Sequence, residues 1–189
     1  MHQEDRPAEL FAQAIGGDID ILVAGKDVNA AAQAAAKIAG VRKVLTASSD
    51  ALGQGLAEAY QALVTPLMAG YDALLVPATA QGKNIAPRIA AALDVAQISD
   101  VIDVVSADAF VHPIYAGNAL ATVKSSDAVK VITVRTTAFD AVGTGGSATV
   151  EAVAAGPDLA QSKLVGRELT KSARPELGAA KIIVSGGRA

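Results

Sequence analysis

Several groups of residues in this 189-residue chain have the type and spacing to do chemistry. Gly82-Lys83-Asn84 follows an apolar run and opens a helical pattern, where backbone N–H groups and a lysine ammonium could meet an anion. The same residues also read as a capping turn with a solvent-facing lysine. Gly143-Thr144-Gly145-Gly146-Ser147 is glycine-rich enough to cradle a phosphate. It lacks a flanking strand and helix, and it reads as an ordinary flexible loop. Ile182-Ile183-Val184 leads into Ser185-Gly186-Gly187-Arg188, a strand-like run before the kind of turn that precedes a phosphate-facing helix. Asp100 and Asp103 would share a face on a helix, but in an extended run they point oppositely and form a solvated strand end. His2 lies in a polar terminus and His112 in a β-type run, so the two histidines make no metal site or proton relay. No nucleophile stands beside a base, and no catalytic or metal-binding residue is assigned.

The elements that must position these groups are legible as alternating patterns. Residues 19–23 form a short apolar run, and Asn29 can cap a helix over 30–39 that stops at Gly40. A second strand covers 43–46. Ser48-Ser49-Asp50 then offers N-caps for one helix running to about Leu67, with Pro66 in its closing turn. A third strand covers 73–76, and a helix spans about 84–93, with Pro87 acceptable only in its first turn. Strands separated by helices imply right-handed crossovers and a parallel sheet covered on both faces. From residue 101 the connections shorten. Runs at 101–105, 110–115, 119–123 and 129–134 therefore predict an antiparallel β meander appended to the parallel sheet. The expected fold is α/β, a three-layer Rossmann-like sheet with that meander, and the chain loosens after Gly143.

Composition narrows the function classes. Apolar residues make up 51% and aromatics only 3%, so the core is Ala, Val, Ile and Leu, suited to helices packed closely on a buried sheet. A net charge of -3 and scattered single aromatics argue against a nucleic-acid partner. The absence of cysteine excludes disulfides, thiolate metal sites and a cysteine nucleophile. The polar start is neither a signal nor a transit peptide, and the Ala-rich apolar runs fall short of a membrane span, so a cytoplasmic protein without membrane insertion is expected.

Taken in order, LVAG (22–25), AAAKIAGV (34–41), GKNIAPRIAAALDV (82–95), ISDV (98–101) and YAGNALATVKS (115–125) resemble the alpha subunit of electron transfer flavoproteins. KVITVRTTAFDAVGTGGSA (130–148), LTKSARPEL (169–177) and IVSGGR (183–188) continue the resemblance in the family's order. It implies an N-terminal α/β domain over 8–165, preceded by a disordered start at 1–7 and followed by a linker over 166–179. Residues 180–189 would then be the first strand of an FAD-binding domain that is missing from this chain. Of the family's FAD contacts only Arg188 falls within this sequence, so Arg188 is the one cofactor-binding residue expected.

The resemblance further implies a beta-subunit partner carrying AMP. The heterodimer would take electrons from acyl-CoA and related dehydrogenases and pass them to a membrane quinone reductase, the electron route of fatty acid β-oxidation. The family opens with a strand before the first helix, whereas here Met1 to Pro7 leads straight into a helical pattern. A first strand is usually central in a doubly wound sheet, so unpaired backbone and apolar surface are expected beside Ile21 and Leu75. The alternative from another class is a nucleotide-binding or nucleotide-hydrolysing enzyme of similar fold, using Gly82-Lys83-Asn84 against a phosphate.

Overall fold

Short runs of Val, Ile and Leu bounded by Gly and Asp form strands, and the Ala-rich stretches between them form helices. The computed structural model describes residues 12–159, 161–168, 180 and 182–187. Its elements in chain order are β1 (Ile19–Gly25), α1 (Asn29–Ala35), β2 (Val41–Ser48), α2 (Asp50–Gly53), α3 (Ala57–Leu67) and β3 (Ala73–Pro77). Then come α4 (Ala80–Ala92), β4 (Gln97–Val101), β5 (Asp103–Ser106), β6 (Ala109–Ile114), β7 (Ala119–Lys124), β8 (Lys130–Val134) and β9 (Thr149–Ala152).

The strands form two parallel ladders, β1-β2-β9 and β3-β8-β4, and one antiparallel sheet, β5-β6-β7. Alternation along β1 sends Leu22 and Ala24 toward α3 and α4, where Leu63, Val64, Ile85 and Ile89 are buried. Ile21 and Val23 point the other way, onto Ala32 and Ala35 of α1. In β3, Leu74 and Val76 meet Ala86 and Ala90 of α4. Leu75 joins the opposite cluster with Ile98, Val101 and the fully buried Phe110 of β6. Helices on both faces of parallel strands, with an antiparallel sheet added, are the expected α/β architecture.

The two parallel ladders do not join. Among the described residues β1 bonds only to β2, and β3 only to β8, yet Leu22, Ala24 and Leu74 pack on one cluster. Tyr71, just before β3, meets Asp20 of β1. Gly25 at the far end of β1 borders the same cavity as Ala80 and Gln81, which follow β3. The two strands thus run in the same direction, and no backbone pairing of their facing edges is present among the described residues. Every residue of both is partly exposed, whereas Val131, Ile132 and Val134 of β8 are fully buried. The unpaired surface expected beside Ile21 and Leu75 lies here.

Five details differ from the sequence reading. The run at 129–134 is no meander strand: β8 lies between β3 and β4, parallel to both. A central strand must be buried on both faces, and the continuous apolar Val131-Ile132-Thr133-Val134 meets that demand. β9 falls in the stretch expected to loosen. Its residues are exposed and carry no apolar pattern, so it forms by pairing with the edge of β2.

The helix expected from Ser49 to Leu67 is broken at Gln54 to Leu56, where Gly55 takes a φ of +76°. The helix expected from Asn84 starts at Ala80, capped by the Thr79 hydroxyl accepting from the Gly82 N–H at 3.2 Å. Pro87 therefore sits in its middle. It is tolerated because it faces solvent, where water can satisfy the freed carbonyl of Lys83. Asn29 is the first residue of α1 rather than its cap, which is Val28.

Candidate functional site

In open parallel α/β sheets, ligands settle beyond the carboxyl ends of the strands. Here that position holds a cavity of about 450 Å³. Three glycines line it; Gly25 and Gly55 leave backbone open to a close approach, while the Lys26 side chain lies over Gly53. Tyr60 forms one wall. Its hydroxyl donates to the Ala24 carbonyl at 3.1 Å, and burial pushes its pKa up. Gln81 and Asn84 from the first turns of α4 and Arg167 from the tail supply amides and a cation. Lys26, also at the rim, is paired with Asp50 at 2.7 Å on the open surface, which raises the lysine pKa and lowers that of the aspartate. Among the described residues the lining offers donors and positive charge but no carboxylate, imidazole or thiol. It can hold and orient an anionic group.

The tail that delivers Arg167 is strapped along the helices. Gly156 packs on Leu63 so closely that a Cβ would lie 3.2 Å from its nitrogen. Ser162 donates to Glu58 at 2.7 Å, and the Leu164 N–H donates to Gln54 at 3.3 Å.

The residues singled out from the sequence fare differently. Gly82 is buried in α4, and a Cβ there would lie 1.9 Å from the Pro77 carbonyl oxygen. Its glycine serves close packing of helix on strand, while Asn84 alone of the trio lines the cavity. The Gly143 loop is pinned, not loose. The N–H groups of Gly145 and Gly146 donate to the Lys37 carbonyl at 2.9 and 3.0 Å, and Ala39 N–H donates to Gly143 at 3.1 Å. Donors already spent on the end of α1 cannot cradle a phosphate.

Asp100 is not a solvated strand end. It takes a left-handed φ of +56° where the β4 register shifts, its N–H donates to Thr133 Oγ1 at 2.8 Å, and both its oxygens accept from Arg135. The Arg135 hydrogen bonds hold its carboxyl below the usual range, with Lys83 and His112 adding to the effect. Asp103 stays exposed and accepts from the Val104 N–H. Arg188 and His2 lie outside the described residues, as does the start at 1–7. No group of three or more His, Asp or Glu that could hold a metal ion is present among the described residues.

Sequence reasoning passed over the best-built polar cluster. Asp20, inside an apolar strand, has its side chain only 2% exposed. It accepts from Arg42 Nε at 2.8 Å, Arg42 Nη2 at 2.6 Å and the Tyr71 hydroxyl at 2.6 Å, with Lys43 at 3.8 Å. The Arg42 hydrogen bonds lower its pKa against the cost of burial; burial and Asp20 together push Tyr71 up to about 12. The signal was available: an aspartate in an apolar run demands a partner. This cluster sits at the amino ends of the strands, away from the cavity, and holds β1, β2 and β3 together.

Fold and site together define a parallel α/β domain with a ligand-sized hollow beyond its strands and no catalytic constellation among the described residues. The family model for the electron transfer flavoprotein domain matches residues 7–158, and the chain belongs to that family. It is 60% identical over 178 residues to the electron transfer flavoprotein subunit alpha of Pseudomonas aeruginosa, covering 94% of this chain and 58% of that protein. It is 57% identical to the subunit alpha of Bradyrhizobium diazoefficiens over 94% of the chain and 57% of that protein. It is also 41% identical to a probable mitochondrial subunit alpha of Caenorhabditis elegans, over 99% of the chain and 59% of that protein. The chain thus spans somewhat over half the length of these relatives. No helix among the described residues is long and apolar enough to cross a membrane.

Proposed function

We propose that this chain is the N-terminal domain of an electron transfer flavoprotein alpha subunit and works as a docking module, not as an enzyme. The observation that carries this reading is the match to alpha subunits over 94% of the chain. In the complete protein a beta subunit carrying AMP binds beside it. The heterodimer, itself cytoplasmic, accepts electrons on FAD from acyl-CoA and related dehydrogenases and delivers them to a membrane quinone reductase. In this reading residues 166–179 are the linker and 180–189 open the flavin-binding domain, with Arg188 as the flavin contact. An isoalloxazine needs an enclosed site with several placed polar groups, and one arginine does not make one. The protein is therefore colourless when expressed alone.

Co-expression with a matching tagged beta subunit tests the reading. Co-purification of this chain, with a higher melting temperature than it has alone, supports docking. A compact monomer with an unchanged melting temperature refutes it, and a yellow preparation with about one flavin per chain refutes the assignment of the flavin site to a further domain.

A further inference from the structure

We draw no further inference here: the strongest candidate, the apolar surface of the antiparallel sheet β5-β6-β7 and its β6–β7 turn, where Val105, Tyr115 and Leu120 stand 61%, 80% and 63% exposed, carries nothing because no observation in the structure shows what covers it.

Discussion

The Tyr71 hydroxyl donates to the Asp20 carboxylate at 2.6 Å, joining the amino end of β3 to β1, where no backbone hydrogen bond does so. The bond spans 51 positions of sequence and ties the two parallel ladders together through side chains. Arg42, at the start of β2, completes the cluster on the other side of Asp20. Removing this link therefore tests how the divided sheet is held.

Tyr71→Phe should cost about 1–2 kcal/mol and Asp20→Asn about 2–3 kcal/mol, because the latter loses the charged hydrogen bonds to Arg42 and leaves that arginine only Asp18 as an ionic partner. Urea unfolding at pH 7 measures both. The folded pKa of Asp20 is lowered by Arg42, so its stabilisation is complete above the unfolded carboxylate value and fades as pH falls through the folded one. The gap between wild type and Asp20→Asn should accordingly close below about pH 4. A gap that instead widened in acid would show that the carboxylate is not held in its charged form.

Gly82→Ala places a methyl 1.9 Å from the Pro77 carbonyl oxygen and 2.9 Å from Val76 Cγ1. Backbone cannot yield as a flexible side chain can, so α4 must lift from β3 at a cost of about 1–3 kcal/mol or more. Thermal unfolding reads the loss. A phosphate-binding role for this glycine would leave stability nearly unchanged.

The pinned state of the 143–147 loop separates two neighbouring glycines. In Gly146→Ala the new methyl would lie 2.0 Å from the Ile38 carbonyl oxygen, whereas at Gly143 nothing lies within 4 Å. The first change should destabilise by about 1–3 kcal/mol and the second by no more than about 0.5 kcal/mol. Amide exchange offers an independent reading: Gly145 and Gly146 should be protected through their bonds to Lys37. Equal tolerance at both positions would restore the flexible loop.

Arg135→Met removes the partner of Asp100 at the bend of β4. Both side chains keep partial contact with water, 43% for Arg135 and 27% for Asp100, so the expected loss is only about 1 kcal/mol. Because the pair lowers the Asp100 pKa, that loss should be full at neutral pH and vanish in acid as the carboxylate protonates. Chemical denaturation at pH 7 and pH 3 compares the two.

The α/β class, the first three strand–helix units, the capping serine before α2 and the antiparallel hairpins of β5, β6 and β7 follow from the sequence by itself. Each depends on neighbours within a few residues: a hydroxyl that can reach an N–H three positions on, an apolar period, or a loop too short for a crossover. The place of β8 does not. Val131 to Val134 looks like a fourth hairpin strand until the free edges of β3 and β4 are set beside it. Nor does β9, whose exposed residues become a strand only because β2, more than a hundred positions earlier, presents an unpaired edge. The same holds for the site. Asn84 is legible as a helix-opening residue, but Gly25, Tyr60 and Arg167 share its cavity only once the strands align and the tail crosses the helices. Local preference acts through bonds a few residues apart and can be read in the order of residues. Strand pairing and burial act between segments that meet only when the chain has folded, and which edges remain open to pair is a property of the tertiary structure.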